Sequence, residues 1–278
     1  MQMNNLQKRL SLVYLYLVPI WATILALGVG YITYKIYLPI WIMNVIVMMI
    51  SAWILGLHVI KNNDTQKKQL AIAAFFLIVP TMLTSMFFGL GPPPETPTKW
   101  VATATEQEIR FIMLVIAGVF ICVGFAGLRE KLRNTEGSFY SMLGFTAIII
   151  AIPLFILNMI FWSAYLPELF KLMTTSALQK SPDWFHPVRD EFNLLTPVEV
   201  AIIYIGIIAF VASLKVTELL NKKASIIYTM ICIIAIVITV FPYSSQLMPI
   251  PFFIVTIPAA PFIIAYFMGI NLLRKAAN

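Results

Sequence analysis

The sequence predicts an all-α integral membrane protein: one bundle of about eight transmembrane helices, both termini cytoplasmic, with a short amphipathic helix on the outer surface. Three observations carry this. Of 278 residues, 60% are hydrophobic and 11% charged, against roughly 45–50% apolar and about 25% charged in an ordinary soluble domain. Mean hydropathy is +0.90, which needs a solvent that accepts apolar surface on every side of the chain. And the charges fall in connections between apolar runs, alternating in character from one connection to the next.

Eight windows approach or exceed the roughly 20 apolar residues that cross a hydrocarbon core of about 30 Å. They are 10–34, 38–60, 70–90, 111–128, 139–162, 198–214, 224–241 and 250–273 of a single domain spanning 1–278. Lys8 and Arg9 before the first window imitate a signal peptide, but the apolar run is far longer than the roughly 7–15 residues of a signal h-region. It reads as a retained first helix.

With the N-terminus inside, one side of the membrane receives 13 of the 19 basic residues, among them Lys61, Lys67, Lys68, Arg129, Lys131, Arg133, Lys215, Lys222 and Lys223. The positive-inside rule then places both termini in the cytoplasm. The net charge of +7 is explained as topology, and nucleic acid is excluded as a partner because no basic stretch is left over. Membrane lipids are the expected surroundings.

On the outer side, Thr105-Glu106-Gln107-Glu108 and Thr196-Pro197-Val198-Glu199 read as capping boxes that start the fourth and sixth helices. Trp41, Trp100, Trp162 and Trp184 fall near the outer interface, where indole rings prefer to lie. The connection 163–197 is the long one. Within it Leu166, Leu169, Phe170, Met173 and Ala177 recur at helical spacing, predicting a short amphipathic helix on the outer surface. Gly91-Pro92-Pro93-Pro94-Glu95-Thr96-Pro97 should make the second outer loop a stiff, polyproline-like chain, and together these two segments are expected to cap the bundle.

Sharp chemical signatures are missing. Cys122 and Cys232 lie in apolar runs and form no CxxC pair. His58 and His186 lie at a helix end and in a loop, so bis-histidine haem is not expected. No HExxH, GxSxG, Walker or GxGxxG pattern occurs. No metal or cofactor is expected. Every Asp, Glu, Lys, Arg and His is placed at or beyond a span end, which disfavours a proton-driven mechanism.

Two constellations remain. Asn44, Thr81, Thr84 and Asn158, with the helix-interrupting Pro80, Pro153 and Pro258, fall at mid-depth or in the outer half and suggest a pocket between the second, third, fifth and eighth helices. In the long outer loop, Asp183, His186 and Asp190 stand close together, and a histidine with a carboxylate partner can act as a general base on a lipid-linked substrate. The functional expectation is a non-catalytic membrane component, either a complex subunit or a carrier or binder of a small neutral or lipophilic molecule. The alternative is a membrane enzyme that modifies a lipid-linked substrate with the His186 loop. Compact loops, and an Asn-x-Thr triplet found only at Asn63-Asp64-Thr65 on the inner side, point to a bacterial inner membrane.

Overall fold

A computed structural model describes residues 4–28, 32, 34–86, 94, 96–175, 183–241 and 255–277, and these are mostly helical with no strand among them. In chain order the helices are α1 (Asn5–Gly28), α2 (Tyr34–Leu55), α3 (Thr65–Thr84), α4 (Pro97–Ala102), α5 (Ala104–Leu132), α6 (Ser138–Ile160), α7 (Leu166–Thr175), α8 (Phe185–Val216), α9 (Lys222–Val240) and α10 (Ala260–Ala277). A 3-10 turn, Leu57–Lys61, follows α2, and a π-helical turn, Phe161–Tyr165, joins α6 to α7. Seven of the helical runs are long and apolar enough to cross a membrane. α10, which corresponds to the last predicted window, is not among those seven; residues 250–254 of that window lie outside the described residues.

The surface is built for lipid. Ile226, Ile227, Met230, Ile233, Ile234 and Val237 all lie exposed along α9, and Ile149 and Ile150 along α6. The centre belongs to α10, which packs on α3, α8, α2 and α1 and buries twelve of its residues. Its Tyr266 hydroxyl donates to the Leu15 carbonyl of α1 at 2.6 Å. Elsewhere the order of packing is α3 on α5, α5 on α6, α6 on α8 and α8 on α9. Close approach of α6 and α8 depends on Gly144, where a Cβ would lie 2.7 Å from the Phe210 ring and 2.9 Å from the Gly206 carbonyl oxygen; small residues let membrane helices approach through backbone contact.

The basic turns gather at one end. The Asp64 carboxylate caps α3 by accepting from Gln66 N (2.9 Å) and Lys67 N (3.1 Å), and Asn221 caps α9 through Ala224 N at 2.7 Å. Lys131 Nζ donates to Gln66 Oε1, Ser213 Oγ donates to Gly137 O at 2.7 Å, and Gly56 packs so closely on the Leu273 carbonyl oxygen that a Cβ there would collide with it. Those contacts hold the turns after α2 and α5, the end of α8 and the end of α10 together as one basic end.

The far end differs from expectation. Rather than a loop over 163–197, helix runs on both sides of 176–182. α6 continues through the π turn into α7, giving one helical run, Ser138–Thr174, and α8 already starts at Phe185. The expected stripe on α7 is present, with Leu166 and Leu169 buried, but α7 extends α6 instead of forming a separate surface helix; Ala177 lies outside the described residues. Both expected capping boxes shift. Thr196 is inside α8, its hydroxyl donating to Phe192 O at 3.2 Å, because the apolar residues Phe185, Val188 and Phe192 continue the helical period upstream of Pro197 and have α7 to pack on. Thr103, not Thr105, precedes α5, and its hydroxyl donates to Lys99 O of α4 at 2.9 Å. The expected cap takes the form of α4 packed on α7, with Trp100 stacked on Phe111 and near both Trp162 and Phe170. Of the proline-rich loop 91–97, Pro94, Thr96 and Pro97 are described: the Pro94 carbonyl accepts from Trp100 Nε1, while Thr96 caps α4 and Pro97 opens it, so that part is helix rather than polyproline-like chain.

Candidate functional site

The strongest candidate lies where α5, α6 and α8 meet towards the far end. Asn158 of α6 is fully buried. Its Nδ2 donates to Thr196 Oγ1 at 2.9 Å and to Glu199 Oε1 at 2.9 Å, both on α8. Its Oδ1 accepts from Trp162 Nε1 at 3.0 Å. An indole nitrogen only donates, so Trp162 fixes which side of the amide carries the oxygen. Every polar atom of that amide is used.

Glu199 is not. It is 0% exposed, and while Oε1 takes the Asn158 bond, Oε2 has no hydrogen-bond partner. A buried polar atom without a partner costs roughly 1–3 kcal/mol, and an ionised carboxylate costs more. On α5, Gln107 is 2% exposed and donates through Nε2 to Thr103 Oγ1 at 3.2 Å, while its Oε1 is also without a partner. One turn further along the same face, Arg110 is 4% exposed. The antiparallel register sets their level: a Cβ on Gly118 would lie 3.0 Å from the Phe155 ring and Phe111 stacks on Trp162 at 6.2 Å, so Arg110 sits about one turn beyond Asn158. The π turn that carries Trp162 adjoins this cluster, and π turns inside α-helices occur frequently at functional sites.

Chemically, the α6–α8 seam offers one buried carboxyl oxygen, that of Glu199, beside an amide that cannot turn, and α5 carries a second unpartnered oxygen, that of Gln107, nearer the far end. Such oxygens accept hydrogen bonds from N–H or O–H groups, or face a cation. Sequence reasoning missed Glu199, Gln107 and Arg110 by assigning them to helix starts and connections; the structure buries all three side chains. The available signal was the period Phe192, Thr196, Glu199, Ile203 on one helix face.

The predicted pocket is divided between two places. Asn44 of α2 accepts from the Tyr14 hydroxyl at 2.6 Å and donates to Ser85 Oγ at 3.2 Å, in a cluster that also holds Tyr37, whose hydroxyl donates to Ser85 O, and Trp41, whose Nε1 donates to Met82 O at 3.0 Å. Pro80 and Thr81 are buried in α3 beside it and Thr84 is half-buried. Asn158 is elsewhere: α2 packs on α1, α3 and α10, whereas α6 packs on α5 and α8. Pro153 is exposed on the outside of α6, and Pro258 is half-buried in the turn before α10.

The second constellation lies at the start of α8. Asp183, His186 and Asp190 are exposed and make no hydrogen bond to one another; Asp190 instead pairs with Arg189 at 3.5 Å. His58 is at the basic end, its Nδ1 donating to Trp53 O at 2.9 Å. Among the described residues no group of three or more His, Cys, Asp or Glu is placed to hold a metal ion. Comparison with protein-family models, with curated proteins and with solved structures finds no match, so the functional reading rests on the geometry of the Asn158–Glu199 cluster.

Proposed function

We propose that this chain is an eight-helix protein of a bacterial inner membrane, with both termini cytoplasmic, that binds or carries a small molecule at the Asn158–Glu199 cluster without catalysing a reaction. The orientation is supported by the gathering of the basic turns at one end, which the positive-inside rule makes the cytoplasmic end. The far end is then the outer one. Counting back about 20 residues from Val216, the length that crosses the core, reaches Pro197, so Glu199 stands at the outer edge of the hydrocarbon.

The observation that carries the binding reading is the second oxygen of Glu199. A carboxyl kept for packing alone would be expected to use both oxygens, because buried polar groups are rarely left without partners, and ionisable groups within membrane helices mark functional sites by default. The expected ligand bears an N–H, O–H or ammonium group. The enzyme reading has no comparable support, since His186 is exposed and has no carboxylate partner.

Native mass spectrometry of the chain extracted from its own membrane tests this. A retained non-protein mass that falls about tenfold or more in Glu199→Leu, the effect of roughly 1.4 kcal/mol or more of lost affinity, supports the reading. Equal retention in that variant, or a co-purifying protein whose binding ignores Glu199, overturns it, the latter in favour of a complex subunit.

A further inference from the structure

Beyond the Glu199 site, the far end carries a groove along the lipid-facing side of the same helix pair. The run Ser138–Thr174 has 37 residues and α8 has 32; at about 1.5 Å per residue these reach roughly 55 and 48 Å, against a core of about 30 Å. The excess lies at the far end, because the basic turns hold the other. Its charges agree: the Glu168–Lys171 pair (3.7 Å) and Arg189–Asp190 are exposed on the projecting part, where water or headgroups can solvate them.

Between the projecting helices is a groove of about 630 Å³. Leu157 and Ile160 form one end, Phe161 and Phe192 the floor, and Leu172 and Trp184 the other end. The floor is sealed by the Phe161–Phe192 stack, with ring centroids 3.9 Å apart and planes at 10°. The wide π turn presents Phe161, Ala164 and Tyr165 to the groove together. Leu157 and Ile160, 51% and 49% exposed, continue the lipid-facing surface of α6, whereas Leu172 and Trp184, 56% and 50% exposed, stand beyond the hydrocarbon. Contiguous apolar surface held outside the core marks an interaction site.

We propose that this groove seats one acyl chain of an outer-leaflet phospholipid, drawn up from the bilayer along α7 and the start of α8. Continuity carries the assignment. A chain entering at Leu157 and Ile160 stays against apolar side chains as far as Leu172. The volume agrees, lying within the roughly 300–1,000 Å³ of small-molecule sites, whereas a docking helix of about 10 Å diameter would place only about one and a half turns there. The Phe161–Phe192 floor separates the chain from the Asn158–Thr196 bond one turn away, so this site does not depend on the Glu199 reading.

The test is photolabelling of the full chain in phosphatidylethanolamine–phosphatidylglycerol nanodiscs, doped with phosphatidylethanolamine that carries a diazirine at the end of one acyl chain. Label on Leu172 and Val188, in addition to the membrane-facing Ile149 and Ile150, is expected. Val188→Trp fills the groove and Leu172→Lys places an ammonium in it; each is expected to lower groove labelling about tenfold, the effect of losing contact with about two methylenes, while labelling of Ile150 stays constant and reports a folded bundle. Glu199→Leu is expected to leave groove labelling unchanged, which separates the two sites. Label confined to Ile149 and Ile150 in the native chain, groove label indifferent to both variants, or a second polypeptide cross-linked across Leu172 in native membranes would each overturn the proposal.

Discussion

Asn158 Nδ2 and Glu199 Oε1 are 2.9 Å apart across the α6–α8 seam, and neither residue exposes any surface. That bond joins a fully satisfied amide to a half-satisfied carboxyl. Trp162 and Thr196 hold the amide in place, so the carboxyl is the member of the cluster with capacity left for something else.

Removing the amide should therefore cost more than removing the pair. Asn158→Leu leaves Glu199 and the Trp162 indole without their partners and is expected to destabilise the bundle by about 1–3 kcal/mol. The double variant Asn158→Leu/Glu199→Leu is expected to regain part of that loss, since replacing both members of a buried polar pair by apolar residues is often neutral. Thermal unfolding of all four members of the cycle in detergent gives the coupling directly; additive losses would show that the two residues do not interact.

The α6–α8 approach makes a separate prediction. Gly144→Ala drives a methyl group to within 2.7 Å of the Phe210 ring and 2.9 Å of the Gly206 carbonyl oxygen, and only the ring can move aside. A loss of about 1–3 kcal/mol is expected, as for overpacking in a dense core. The same unfolding measurement checks it, and an unchanged melting temperature would mean that the helices can separate without cost.

Asn44 and Asn158 should behave as members of different clusters. Asn44→Leu removes the Tyr14 and Ser85 contacts that tie α1, α2 and α3, a loss expected near the 0.6–1.7 kcal/mol measured for hydrogen bonds between membrane helices, or roughly so. Retention of a small molecule in native mass spectrometry should be unaffected by Asn44→Leu and reduced by Asn158→Leu. Equal effects would return the two asparagines to one pocket.

At the start of α8, His186→Ala is expected to change stability by less than about 0.5 kcal/mol and to leave ligand retention intact, because the side chain is exposed and bonded to neither Asp183 nor Asp190. A large loss of a measured activity in this variant would revive the catalytic alternative.

Orientation can be read by labelling. In a chain with Cys122 and Cys232 changed to Ala, a cysteine at Thr135 in the basic turn after α5 should resist a membrane-impermeant maleimide in intact cells. One at Asp183, exposed at the far end, should react. The opposite pattern would invert the topology and place Glu199 on the cytoplasmic side.

By itself the sequence determined the solvent. Apolar runs of spanning length separated by charged turns leave no soluble arrangement, and the basic turns fall between helices close to where composition put them. The α7 stripe was legible too, because Glu168 and Lys171 alternate with its apolar residues and the period again reports facing. Inside the bilayer that signal fades: lipid is as apolar as the protein core, so a helix that is apolar all round does not show which side is buried. For this reason only the tertiary structure decided that α10 occupies the centre, that Asn44 and Asn158 lie in separate clusters, and that Pro153 faces outward. It also decided the fate of Glu199. Read locally, Thr-Pro-Val-Glu is a helix start; packed against α7, the chain upstream of Pro197 gains an apolar partner and stays helical, which carries the same glutamate into the middle of a helix and shuts it from water.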